Sequence, residues 1–290
     1  MTERKKKSSS KVLSVALIAV MLAGFSLLLY PTVANWWNRR HQTTVTREYD
    51  EIVNKLTNEE YEKILDAAAQ YNLEWSQKSE RNAYLTDEEH ALYKKIFAMT
   101  DSDAMGYIQI PSINIQLAIY PGTAESVLRV GVGHLDWTAL PVGGPGTHCV
   151  LSGHRGLPSA RLFTDLPNLV MGDTFTLHIL DKIYTYEVDQ ILIVLPQETD
   201  ALLPEDGRDF CTLLTCTPYG VNSHRLLVRG HRIENANAST GRVHANAARV
   251  SQLLVAVLLG APILMLLFLG ALVFIRPKKE KRYRLQNERK

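Results

Sequence analysis

Two long uncharged stretches near its ends limit what this chain of 290 residues can become. Val12–Tyr30 is 19 residues long and Leu253–Ile275 is 23, and neither holds a charge. A bilayer core ~30 Å thick takes roughly 20 helical residues, so each can span. A buried core helix of that length usually keeps one polar face. The reading is therefore two transmembrane helices, at 12–30 and 251–275. Arg4, Lys5, Lys6, Lys7 and Lys11 precede the first, and Arg276, Lys278, Lys279, Lys281, Arg282 and Arg284 follow the second. Basic residues stay on the cytoplasmic side, which makes 1–11 and 276–290 cytoplasmic tails and places about 31–250 outside. A cleaved signal peptide is the competing reading of the N-terminus. No clean small-x-small site follows Tyr30; Pro31, Trp36 and Trp37 follow instead, and the tryptophans suit an interfacial belt.

The composition between the spans is that of a folded domain. Overall the chain is 46% hydrophobic and 21% charged with net charge +2, which argues against disorder and against nucleic-acid binding. Its only cysteines are Cys149, Cys211 and Cys216. Three cysteines do not make a disulfide scaffold, and at least one must be unpaired within the chain. An unpaired thiol outside the cell is a candidate nucleophile.

Residues 31–104 read as a helical extension. Thr57-Asn-Glu-Glu60 and Thr86-Asp-Glu-Glu89 have capping-box form. Tyr61, Ile64, Leu65 and Ala68 follow the first at helical spacing, and Leu92, Ile96 and Phe97 the second. The expectation is a helical hairpin that mainly props the domain off the membrane. From 105 to 233 the pattern changes to short strand-like runs: 107–110, 115–119, 149–151, 174–179, 184–188, 191–194, 210–215 and 226–229. Turn signals separate them, and many short strands with regular turns mean a sandwich or barrel. One helix is expected near 160–169. Residues 234–250, rich in Asn, Ala and Ser, read as a linker.

Cys216 ends an apolar strand and begins the turn Thr217-Pro-Tyr-Gly220, where a thiol is held yet accessible. Cys211 and Cys216 are an odd number of residues apart, so they point to opposite faces of the strand. Cys211 and Cys149 read as core residues, and a disulfide between them stays open. A thiol needs a base or a cation to become useful. Five histidines of the barrel region lie outside the strand runs: His134, His148, His154, His224 and His231. His154 stands between glycines in Ser152-Gly-His-Arg-Gly156, which lets the backbone turn and leaves the imidazole open; His224 is the other contender. Arg225 and Arg229 share a strand face. A guanidinium suits the developing oxyanion of an acyl transfer, and Arg225 lies nearer the Cys216 turn.

Leu213-Leu-Thr-Cys-Thr-Pro-Tyr-Gly-Val-Asn222, followed by His224-Arg-Leu-Leu-Val-Arg-Gly-His231, resembles the active-site signature of sortases, and of class C in particular. Gly106-Tyr-Ile-Gln-Ile-Pro111, Gly131-Val-Gly-His134 and Val150-Leu-Ser-Gly-His-Arg-Gly-Leu-Pro158 support this, over roughly residues 45–233. The two-span layout fits class C as well. The resemblance implies a mainly β fold, an eight-stranded barrel with a helical N-terminal extension. It implies Cys216 as nucleophile, His154 as acid/base and Arg225 as the oxyanion and positioning residue, with no external cofactor. The implied reaction cleaves a Leu-Pro-x-Thr-Gly-like sorting signal between Thr and Gly and joins it, through a thioacyl enzyme, to a pilin lysine on the surface of a Gram-positive-type cell. Anchoring to a peptidoglycan amine is the alternative task.

Class C members often carry an Asp-Pro-aromatic lid ahead of the barrel, and residues 60–105 contain no Asp-Pro. The expectation is no lid or an atypical one. Leu73-Glu-Trp75 and Asp101-Ser-Asp103 are poor substitutes; Trp75 lies where a lid aromatic could sit, with helix packing the favoured role. A papain-like hydrolase is disfavoured, since its cysteine opens a helix near the N-terminus. A non-enzymatic surface binding module with a structural Cys216 is the remaining rival. Glu198, Asp200, Glu205 and Asp206 raise the thought of calcium, but their spacing follows no dedicated loop, and a solvated acidic loop is the reading taken.

Overall fold

The computed structural model describes residues 3–77, 85–97, 103–235 and 260, with side chains in the first helix from residue 15 onward. Of the described residues, those from 34 to 235 belong to one compact unit. Helix α1 (Glu3–Val53) includes the stretch Val15–Val53, whose most apolar window has mean hydropathy 2.1 and no buried residue. It is long and apolar enough to cross a membrane. The expected second span at 251–275 falls, apart from residue 260, outside the described residues, as does the linker from residue 236 onward.

Both capping boxes form. Glu60 N donates to Thr57 Oγ1 (3.3 Å) and Thr57 N to Glu60 Oε2 (2.8 Å), opening α2 (Asn58–Ser76). Glu89 N and Thr86 N make the same exchange at 3.3 and 2.8 Å ahead of α3 (Asp87–Phe97). These reciprocal bonds satisfy orphan amides at each helix start. The helices are not a mere prop, contrary to expectation. Tyr49 and Val53 of α1, Ile64, Ala68 and Tyr71 of α2, and Tyr93 and Ile96 of α3 share one apolar core with Ile108, Ile119 and Leu140. An apolar helical stripe needs a partner surface to leave water, and the barrel supplies it.

Tyr49 locks this junction. Its buried hydroxyl donates to Met105 O (2.9 Å) and accepts from Leu180 N (2.8 Å). Tyr49→Phe leaves a buried carbonyl and a buried amide unpaired, so it costs about 2 kcal/mol, read as a lower melting temperature of the full chain.

Eight strands follow: β1 (Gly106–Ile110), β2 (Ile115–Pro121), β3 (Val132–His134), β4 (Thr147–Ser152), β5 (Thr174–Ile179), β6 (Lys182–Val194), β7 (Asp209–Thr217) and β8 (His224–Ile233). They close in the order β1-β2-β3-β4-β7-β8-β6-β5, with β2–β3 and β4–β7 parallel. The expected runs 184–188 and 191–194 are one strand, β6, whose register slips at a bulge between Val188 and Gln190. Strand β3 went unread because three residues around Gly133 show no alternation, and the short helix α4 (Glu125–Leu128) was missed too. The helix expected near 160–169 is a 3₁₀ segment, Leu162–Asn168, interrupted at Phe163 and containing Pro167.

Inside the barrel, Phe175 and Tyr186 stack with centroids 5.5 Å apart. Gly230 on β8 makes room for them: a Cβ there would lie 2.8 Å from the Phe175 ring and 2.9 Å from Tyr186. Cys149 and Cys211 stand opposite each other on β4 and β7, buried and as free thiols, so the disulfide left open by the sequence is not made.

Candidate active site

Alternation along β7 sorts its side chains onto two faces. Cys211 and Leu213 join the barrel core, while Leu214 packs on the outer face with Val150, Leu202 and Leu227. Cys216 is two residues beyond Leu214 and shares that outer face. It is half-buried, while the other two cysteines are buried. The outer layer also holds Leu192 and Val194 of β6, under a cover that includes Ala201 and Leu202 of the β6–β7 connection.

Register pairs two of the three expected residues, and the loop after β4 carries the third. Cys216 pairs with Arg225 across β7–β8. Ser152, the last residue of β4, pairs with Leu214 across the parallel β4–β7 ladder, and His154 follows two residues later in the loop. The loop after β4 follows that course. Gly153 N donates to Leu214 O (3.0 Å), Thr215 Oγ1 donates to Gly153 O (2.7 Å), and Arg155 Nη1 donates to Thr217 Oγ1 (2.9 Å). His154 is thus clamped from both sides to the strand that carries Cys216. Gly153 has no side chain because the Phe163 ring sits where one would be, 2.7 Å from a Cβ.

His154 is 27% exposed at its side chain, and its Nε2 lies 3.2 Å from Glu125 Oε2. His224, the other contender, pairs with Thr217, one step along from Cys216 and so on the opposite face. Its Nδ1 lies 2.9 Å from Ser223 Oγ. Two further histidines of the barrel serve the fold. His134 Nε2 donates to Ala139 O (2.8 Å), and its Nδ1 accepts from Tyr93 Oη (3.0 Å). His148 Nδ1 donates to Leu203 O (3.0 Å), and its Nε2 accepts from Thr212 Oγ1 (2.7 Å), which ties the β6–β7 connection to the strands beneath it.

The two arginines differ sharply. Arg229 grips Asp189 with Nε and Nη2 at 3.0 and 3.2 Å, reaches Glu205 with Nη1 at 3.0 Å, and lies 4.0 Å over the Phe210 ring. Arg225 has no carboxylate partner among the described residues. Its Nη1 donates to the carbonyls of Asn222 and His224, each at 3.1 Å, which steadies the guanidinium beside the Cys216 turn with donors to spare.

The acidic loop is accounted for in part by structural bonds: Glu198 accepts from Leu195 N at 2.8 Å, and Glu205 pairs with Arg229. Among the described residues no three His, Cys, Asp or Glu side chains group to hold a metal ion. Trp75 is buried on α2 and lines a small cavity with Trp137, His148, Leu202 and Pro204. That is a helix-packing role, against the β6–β7 connection. Of the Asp101-Ser-Asp103 segment, 101 and 102 fall outside the described residues. Glu125, Thr215 and Arg155 were not read from the sequence, since nothing in their local pattern marks them and their contacts are made across strands.

His148 carries a pH signature. Burial pushes its imidazole down to about 4, while the unfolded chain titrates at the ordinary value of 6.5. Below pH 6.5 the unfolded state takes up a proton that the folded state refuses. The His148 contribution is therefore full above pH 6.5 and shrinks as pH falls toward 4, by up to about 3 kcal/mol. Melts of the full chain at pH 7 and pH 4.5 should show a smaller drop for His148→Gln than for the wild type.

The Sortase domain family matches residues 108–233, from within β1 to the end of β8, and takes in both sides of this site. Sortase D of Bacillus subtilis is 30% identical over 148 residues, covering 50% of this chain and 72% of that protein. The chain belongs to the sortase family. It spans between 43% and 72% of the length of the curated relatives it matches. Two solved structures place this sortase beside class C. Sortase C1 from Streptococcus agalactiae is 46% identical with TM-score 0.63, covering 66% of this chain and 98% of that one. Sortase C of Streptococcus pneumoniae, whose structure was reported for catalysis and pilin substrate specificity, is 40% identical with TM-score 0.59, covering 66% and 96%.

Proposed function

We propose that this sortase is a membrane-anchored cysteine transpeptidase of pilus assembly, acting on a Leu-Pro-x-Thr-Gly-like sorting signal. The observation that carries it is the register pairing of half-buried Cys216 with Arg225, together with the bonds that tie the His154 loop to the Cys216 strand. Cys216 Sγ attacks the Thr carbonyl while its proton passes to His154. The oxyanion forms beside the Arg225 guanidinium, which stays charged and donates where negative charge develops. Collapse breaks the Thr–Gly bond, and the glycine amine leaves with the proton from His154. A lysine amine of the next pilin then attacks the thioester. It gives its proton to His154 and forms an isopeptide bond, and the Cys216 thiolate leaves. An amine acceptor keeps the acyl group in an amide, which water would release as a carboxylate. Class C likeness favours a pilin lysine over a peptidoglycan amine. On this reading α1 and the 251–275 span hold both termini inside and the barrel outside.

The test incubates the full chain in detergent micelles with a fluorogenic Leu-Pro-x-Thr-Gly peptide, with and without a lysine-bearing pilin fragment. Mass spectrometry should find an acyl adduct on Cys216 that the amine resolves faster than water does. Cleavage with no adduct on Cys216 would overturn the reading. Faster resolution by a diamino-acid peptidoglycan fragment than by the pilin lysine would move the task to wall anchoring.

A further inference from the structure

We infer that Glu125 is a positioning residue for His154, and that it makes Nδ1 the ring atom that exchanges protons with Cys216. The inference rests on the proposed acyl transfer. Its geometric basis is one contact: Glu125 Oε2 lies 3.2 Å from His154 Nε2. A carboxylate only accepts, so Nε2 must carry the hydrogen and donate it. In the neutral imidazole that leaves the lone pair on Nδ1. The nitrogen facing Glu125 is then closed to the thiol, and the other is open to it. Glu125 is itself kept ionised, because hydrogen bonds from Arg129 and from His154 hold it below the ordinary carboxylate value. Arg129 Nε donates to its other oxygen, Oε1, at 2.8 Å, leaving Oε2 for the imidazole.

The carboxylate is placed by the fold and not by chance proximity. Glu125 opens the short helix α4 between β2 and β3. Leu128, a turn later, packs so closely on Gly133 of β3 that a Cβ there would lie 3.1 Å from it. Ahead of α4, Gly122 N donates to Tyr93 Oη (3.1 Å), and the same hydroxyl donates to buried His134. The β2–α4 connection is therefore pinned to α3 and to the barrel, and Glu125 is presented from a fixed backbone. The other charged groups around His154 are engaged elsewhere. The Arg155 guanidinium bonds Thr217 and lies 5.9 Å over the Tyr219 ring, and Arg225 bonds its own loop carbonyls. A carboxylate on the far nitrogen orients the ring and stabilises the imidazolium formed when Cys216 gives up its proton, as an orienting third group does for other nucleophile–base pairs.

The experiment uses the full chain in detergent micelles and compares wild type, Glu125→Gln and Glu125→Asp, with a thermal melt of each. Two profiles are taken against pH: kcat and KM for the fluorogenic sorting peptide, and the rate of Cys216 alkylation by iodoacetamide, which needs no peptide. Glu125→Gln should lose about tenfold in kcat with KM within about twofold. The basic limb of both profiles should move to lower pH by about half a unit, the size set by an exposed ion pair. Glu125→Asp should recover part of the loss. Superimposable alkylation profiles for wild type and Glu125→Gln would overturn the inference, as would a kcat loss in Glu125→Gln matched by a fall in melting temperature and not recovered in Glu125→Asp, which would mean that α4 merely holds the fold. Absence of peptide turnover in the wild type would overturn the transpeptidase reading instead, and the alkylation profile would still decide the Glu125–His154 link.

Discussion

Cys216→Ala eliminates acyl transfer, with a loss of about 10⁴-fold or more in the rate of sorting-peptide cleavage and no acyl adduct by mass spectrometry. The size follows from the position. The site contains no second nucleophile: Cys211 and Cys149 are buried in the barrel core on the other face of their strands. Burial also pushes the Cys211 thiol well above the ordinary thiol range, so it is neither reachable nor ionised. The fold should be untouched, because Cys216 is half-buried at a strand end and alanine removes one sulfur. A melting temperature within a degree or two of wild type alongside lost turnover is the expected pair of results. Retained cleavage in the variant would remove Cys216 from the chemistry.

Arg225→Ala should cost about 10²–10³-fold in kcat while leaving the melting temperature close to wild type. Arg229→Ala should do the reverse. The two arginines sit four residues apart on one strand face, but their surroundings divide the work. Arg229 is only 16% exposed at its side chain and is tied to Asp189 and Glu205, so its removal leaves the partly buried Asp189 carboxylate without its fork. Arg225 bonds two carbonyls of its own loop and is paired in register with Cys216. Arg225→Lys should recover little, because a single ammonium cannot hold the loop carbonyls and also donate to an oxyanion in the same geometry. Steady-state kinetics and thermal melts of the full-chain variants check both halves. A large kcat loss in Arg229→Ala at unchanged stability would reverse the assignment.

Some of this architecture was readable along the chain because its causes are local. The capping boxes at Thr57 and Thr86 are exchanges between residues three apart, so they name helix starts without tertiary knowledge. Strand alternation separated Cys216 from Cys211 by parity alone, and Gly-His-Arg-Gly marked His154 by the freedom of its backbone. The apolar stretch from Val12 announced a helix able to cross a membrane. Other features depend on which strands become neighbours, and the one-dimensional pattern does not hold that information. The parallel pairing of β4 with β7 ties the loop that carries His154 to the strand that carries Cys216, 62 positions further along the chain, and nothing in either segment specifies it. Arg225 and Arg229 looked equivalent until Asp189 and Glu205, from β6 and its following loop, closed on one of them. The helices looked like a prop until their apolar stripes, Tyr49 included, were buried with the barrel core. Glu125 lies 29 residues from His154 on a helix too short to have a period of its own. Periodicity and caps come from bonds within a few residues, which sequence order preserves; the site is made by contacts between distant segments, which closure of the barrel alone creates.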